Sequence, residues 1–117
     1  MFVYFLANFT IFTSAIFQLI FTSRNRNEPT LVDCTSPADN PEWSQILCSD
    51  NHTAALTKKG EVFTWGGNYC GELGHGDMAS RDTSTKIASL DGVVITQISC
   101  GYNHMAALTQ YGEVFTW

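Results

Sequence analysis

The sequence predicts an all-β chain of repeated, four-stranded antiparallel units, and three observations carry that expectation. Residues 45–65 align on residues 97–117 at an offset of 52, with fifteen identities in twenty-one positions: "QILCSDNHTAALTKKGEVFTW" meets "QISCGYNHMAALTQYGEVFTW". The repeated segments are short, rich in β-branched and aromatic residues and punctuated by glycine, which favours strands and tight turns over helix. A period of about 50 residues belongs to propeller-like arrays rather than to shorter helical solenoids.

Taken in chain order, residues 1–22, "MFVYFLANFTIFTSAIFQLIFT", carry no charge and six phenylalanines. Two readings stand for them. The length suits a membrane-spanning helix, which needs about 20 mostly apolar residues. Arg24 and Arg26 follow directly and would keep the rest of the chain cytoplasmic. Alternatively, Phe, Ile, Asn and Tyr share A/T-rich codons, as in a mis-translated leader. Residues 23–41, "SRNRNEPTLVDCTSPADNP", have the polar, Pro-punctuated composition of a linker. Residues 42–117 form the repeat region.

Within the repeat, "QILCS" reads as a first strand and "HTAALT" as a second. A turn at "KKG" or "QYG" leads into "EVFTW", with Gly60 and Gly112 where a hairpin needs positive φ. Val62 and Thr64 alternate with Glu61, Phe63 and Trp65, as expected of a strand with two different faces. The glycines of "GGNYCGELGHG" allow sharp turns, and Leu73, the one aliphatic among them, is expected to plug inward. "DMASRDTSTK" reads as a polar surface loop to Lys86; "KIASL", a turn at Asp91-Gly92 and "VVITQISC" resume strand character. Four short strands per 52 residues is the unit of a propeller blade.

Bulk composition narrows the function classes. At 117 residues the chain is about one domain long. Six basic against eleven acidic residues leave a net charge of −5, so no nucleic-acid surface is indicated. Cys34, Cys48, Cys70 and Cys100 contain no C-x-x-C pair, and buried small thiols are the expected reading. His52, His75 and His104 lack the local spacing of a metal site and are expected to pin turns by hydrogen bonds. No G-x-S-x-G elbow and no phosphate loop is present, so catalytic, cofactor-binding and metal residues are all expected to be none. Trp65 and Trp117 are expected to pack between units rather than to form a ligand platform. Asn8-Phe9-Thr10 and Asn51-His52-Thr53 are formal glycosylation sequons, and a glycan at Asn51 would sit in the packed repeat.

These residues resemble the repeat of the regulator of chromosome condensation family, an apolar-x-C/A-G-x-x-H-x-x-A-L-T-x-x-G-x-V-x-x-W-G run leading into G-x-L-G-H-G. In the second copy Cys100, Gly101, His104, Ala107, Leu108, Gly112, Val114 and Trp117 match. In the first, Cys48, His52, Ala55, Leu56, Gly60, Val62, Trp65 and Gly66 match, followed by Gly71, Leu73, Gly74, His75 and Gly76. Ser49 departs from the usual Gly and Glu72 from the usual Gln, changes expected to touch turn strain and surface polarity only. The Gly66-Gly67 doublet and the period also fit a kelch propeller, but the G-E-L-G-H-G and A-A-L-T runs are not kelch features.

The resemblance implies a partial β-propeller that acts as a protein–protein interaction scaffold, without cofactor. Some members of the family are guanine-nucleotide exchange factors for small GTPases, and others set the propeller beside ubiquitin-ligase domains, so a GTPase or the ubiquitination machinery is the implied partner. Such activities would need regions beyond this chain. The implied location is intracellular, cytoplasmic or nuclear. The second copy breaks off at Trp117, one residue before the Gly that follows Trp65, so a truncated product without autonomous function is a further expectation. About three or more repeats are needed for a stable stack.

Overall fold

The computed structural model describes residues 41–117. The expectations for residues 1–22, for the linker up to residue 40, for Cys34 and for the Asn8 sequon lie outside the described residues.

Two antiparallel sheets follow one another along the chain. The first has the order β1 (Trp43–Cys48), β2 (His52–Thr57), β3 (Val62–Gly66), β4 (Arg81–Lys86); the second has the order β5 (Ile95–Cys100), β6 (Met105–Thr109), β7 (Val114–Thr116). The first sheet is a complete four-stranded blade, and the second repeats its first three strands.

The repetition extends to individual hydrogen bonds. Both first strands bulge, between Trp43 and Gln45 and between Ile95 and Gln97. The bulged residue in each donates its hydroxyl to the neighbouring strand, Ser44 to the Leu56 carbonyl (3.1 Å) and Thr96 to the Leu108 carbonyl (3.2 Å). Both hairpins close alike. Thr57 and Thr109 hydroxyls accept the Glu61 and Glu113 N–H groups at 3.1 Å, and Gly60 and Gly112 take φ of +87° and +84°. Positive φ carries a steric cost for a side chain that glycine avoids.

The sequence reading needs two corrections here. Arg81–Lys86, expected as a loop, is the fourth strand. It has no apolar alternation because it is an outer strand with one neighbour, and its residues are exposed or half-buried rather than core. Its Thr and Ser content suits strand geometry without supplying a hydrophobic signal. The "KIASL" segment is not a strand. Ala88–Leu90 make a short 3-10 turn that drives Ile87 and Leu90 into the core.

The main core lies between the two sheets. Ala54, Leu56 and Val62 of the first face Ile95, Ile98, Met105 and Ala107 of the second, with Ile87 and Leu90 closing one end. Alanines on both sides let the backbones approach, and aliphatics fill the remaining space. A smaller cluster on the opposite face of the first sheet joins Ala55, Phe63 and Trp65 to Trp43 and Ile46. Trp43 and Phe63 meet edge to face there, with centroids 5.3 Å apart at 86°.

Candidate interaction surface and the seam between the blades

Three side chains join the blades. The Gln45 amide reaches the first strand of the next blade, donating to the Ile98 carbonyl and accepting the Ile98 N–H, both at 3.1 Å. It thus pairs with that strand as a backbone amide would. The Ser49 hydroxyl lies within hydrogen-bond distance of the carbonyls of Gly101 (2.8 Å) and Tyr102 (3.0 Å). The Trp117 indole N–H donates to the Glu72 carbonyl (3.0 Å) in the glycine-rich loop of the first blade.

That loop is rigid for reasons readable in its bonds. Buried Asn68 donates to the carbonyls of Asp77 (2.9 Å) and Ala79 (3.1 Å) and accepts the Leu73 N–H (3.0 Å), tying both ends together. The Thr64 hydroxyl donates to the Leu73 carbonyl (2.7 Å), so it accepts from His75 Nε2 (2.9 Å), which sets the proton on that nitrogen. Arg81 grips Asp77 through both terminal guanidinium nitrogens, at 3.0 and 2.9 Å. That bond, with the Ala79 N–H, pulls the Asp77 carboxyl down to about 2.

Among the histidines only His75 makes a side-chain bond that pins a turn. The turns before His52 and His104 close through backbone, Ser49 N–H to the His52 carbonyl (2.8 Å) and Gly101 N–H to the His104 carbonyl (2.7 Å). The exposed His104 ring lies where a Cβ on residue 101 would stand, so a side chain there would displace the ring. The His52 ring is 2% exposed, on the strand face of Ala54 and Leu56 that packs against the second blade, with neither nitrogen bonded among the described residues. Burial pushes its pKa below the ordinary 6.5, with His104 adding in the same direction and Glu72 opposing. His75 is lowered as well, by burial and then by Arg81. Ser49 and Glu72 are therefore not surface changes: the first bonds across the seam and the second is 1% exposed.

As pH falls through 6.5 the unfolded chain takes up protons that His52 and His75 resist in the folded state, so their stabilising contribution is present above that pH and is lost below it. The urea midpoint is expected to drop between about pH 7.5 and about pH 5.5, and to drop less in His52→Gln. An equal drop in the variant would place the acid sensitivity elsewhere.

The cysteines depart from the buried-thiol expectation. Cys48 and Cys70 are exposed, Cys100 is half-buried, and all three are free. Burial, and then the neighbouring Cys48, push the Cys100 thiol up to about 12. Iodoacetamide at about pH 8 is expected to modify Cys70 and Cys48 well before Cys100, since the thiolate is the nucleophile. Peptide mass mapping of a time course reads the order, and early modification of Cys100 would contradict it.

The remaining positions divide by burial. Leu56, Val62, Trp65 and Leu73 are buried, Leu108 is half-buried and Val114 is 63% exposed. Gly66, Gly71, Gly74 and Gly76 all take positive φ. Asn51 sits exposed on its turn, not packed within the repeat as expected for the sequon. No group of three or more metal-ligating side chains occurs among the described residues. No helix among them is long and apolar enough to cross a membrane. Sequence reasoning missed Gln45 and Asn68. The available signal for Gln45 was a polar residue present in both copies at the head of an apolar run, "QILC" and "QISC".

Comparison with known proteins agrees with this architecture. Two models of the regulator of chromosome condensation repeat match, one over residues 59–108 and the other over residues 43–72. The chain is 43% identical over 74 residues to RCC1 domain-containing protein RUG3, mitochondrial, of Arabidopsis thaliana, covering 63% of this chain and 17% of the relative. It is 40% identical over 73 residues to the ultraviolet-B receptor UVR8 of the same plant, covering 62% and 17%. Among solved structures, human WBSCR16 superposes with a TM-score of 0.64 at 29% identity, covering 68% of this chain and 20% of that one. Prp20p of Saccharomyces cerevisiae, described with binding properties to Gsp1p and histones, superposes with a TM-score of 0.55 at 32% identity, covering 64% and 18%.

Antiparallel blades with this repeat are the building units of a β-propeller. The chain belongs to the regulator of chromosome condensation repeat family, and it spans about a sixth of the length of these curated relatives.

Proposed function

We propose that residues 42–117 are a protein-interaction module in an intracellular setting, with no catalytic residue of its own. One observation carries the reading. The copies differ at six of twenty-one aligned positions, and four of those lie in the turns: Ser49/Gly101, Asp50/Tyr102, Lys58/Gln110 and Lys59/Tyr111. The strands are a common scaffold, and varied loops on a rigid scaffold are where binding specificity resides. A photo-crosslinking residue at 102 or 111 should capture a protein identifiable by mass spectrometry, while one at 83 in β4 should not. Capture only from the strand position would count against the reading.

Exchange-factor activity is a narrower version, supported by the likeness to Prp20p, which binds Gsp1p. Its test is release of a fluorescent guanine nucleotide from purified small GTPases with and without the chain. Accelerated release supports exchange, whereas binding without acceleration leaves scaffolding. A partner in the ubiquitination machinery is suggested by the likeness to probable E3 ubiquitin-protein ligase HERC4 of Rattus norvegicus, 45% identical over 73 residues.

A further inference from the structure

The turn end of the blades that carries the β1–β2, β3–β4 and β5–β6 connections has a chemistry that the repeat alone does not require. The tip at Ser49–Asn51 lies between two connections that each carry an exposed tyrosine. On one side the Ser49 hydroxyl contacts the Tyr102 carbonyl at 3.0 Å, which holds that tip against Gly101–Asn103. On the other, the Gly67 N–H donates to the Asn51 carbonyl (2.6 Å), and a Cβ at Gly67 would stand 3.2 Å from Asn51 Cβ and 3.3 Å from Tyr69 Cε2. Asp50 is the central residue of that tip, and the connections on either side of it carry Tyr69, 52% exposed, and Tyr102, 61% exposed.

The charges at this end are one-sided. Its single Lys or Arg among the described residues, Arg81, is engaged by Asp77 through both terminal nitrogens. Lys58 and Lys86 pair with Glu42, and with Glu61 and Asp91, and Lys59 sits beside Lys58 on the β2–β3 hairpin. Asp50 is exposed and has no ion-pair partner among the described residues.

We propose that this strip of Tyr69, Asp50 and Tyr102 receives a cationic side chain, arginine or lysine, from an extended basic segment of a protein partner. A guanidinium or ammonium is attracted to the faces of tyrosine rings, and the Asp50 carboxylate supplies the countercharge. Tyrosines add contact area at low conformational cost, as in loop-built binding surfaces. The inference rests on the interaction-module reading and adds to it a face and a partner chemistry.

The test is an NMR titration of the full chain with a soluble peptide of alternating arginine and glycine, beside the same peptide with neutral citrulline for arginine. The arginine peptide should shift the amides of Asp50, Tyr69 and Tyr102, and the citrulline peptide should not. Asp50→Asn and Tyr102→Ala are each expected to weaken binding about fivefold, in line with exposed cation–π and ion-pair contributions. Tyr111→Ala and Lys59→Ala, at the opposite end, should leave it unchanged. Both strip positions are exposed, so the variants are expected to fold, and their amide spectra report this directly. Equal binding of the citrulline peptide, shifts centred on Tyr111, or no binding of the arginine peptide would each overturn the inference. None of these would sink the interaction-module reading, which fails instead if crosslinkers at both turn ends capture nothing.

Discussion

Gly74→Ala is expected to lower stability by about 2–4 kcal/mol. Two costs add. Gly74 has φ +76°, which disfavours any side chain, and its added Cβ would stand 2.6 Å from Trp117 Nε1 and 2.9 Å from two ring carbons. The indole cannot retreat without losing its bond to the Glu72 carbonyl, because that carbonyl lies in the same turn. The substitution thus pushes the second blade off the first. Gly76→Ala separates the terms: φ is +79°, but nothing lies within 4 Å of its Cβ position, so it pays only the backbone cost of about 1 kcal/mol. Urea unfolding of the two variants measures the difference. Equal losses would mean that the Trp117 contact contributes nothing.

Leu73→Ala is expected to cost about 3 kcal/mol, within the range for a large-to-small change in a packed interior. Leu73 is 0% exposed, and its backbone cannot shift to fill the space. Its N–H is held by Asn68 Oδ1 at 3.0 Å and its carbonyl by the Thr64 hydroxyl at 2.7 Å. A site pinned on both sides collapses little when its side chain shrinks, so the cavity persists. Val114→Ala, by contrast, should be nearly neutral, because Val114 is 63% exposed while its repeat equivalent Val62 is 1% exposed. Thermal unfolding compares the two, and a loss at Leu73 below about 1 kcal/mol would contradict the rigid-loop account.

The strands that carry the core were legible in the sequence, and the contacts between the blades were not. "HTAALT" and "EVFTW" match β2 and β3 within a residue because turn residues bound each short run at both ends, although both strands are buried on both faces and carry no alternation of burial. The inward burial of Leu73 was legible for a related reason, as the one aliphatic among glycines and polar residues. β4 was missed because an outer strand with one neighbour need not be apolar.

Gln45 escaped notice because its partner, Ile98, is 53 residues away and no local pattern marks a side chain that bonds to a distant backbone. The burial of His52 comes from stacking: it shares the face of Ala54 and Leu56 that the second blade covers, whereas His104 shares the face of Ala106 and Leu108, which no described residue covers. Two nearly identical turns therefore place the same histidine in opposite environments. The loop-end strip has the same character. Its aromatics and its acid are ordinary surface residues in sequence, and the strand order brings their three connections to one end, where the Ser49 and Gly67 contacts join them.

The claim on which the rest depends is that the two copies stack as successive blades, with Trp117 seated on the Gly74 turn. The most direct measurement is the set of nuclear Overhauser contacts from the Trp117 indole N–H in a chain labelled at tryptophan. Cross-peaks to the Gly74 α-protons, with slowed exchange of that N–H through its bond to Glu72, are the expected result. An indole N–H that exchanges at the rate of a solvated tryptophan and shows no contact with Gly74 would contradict the stacking.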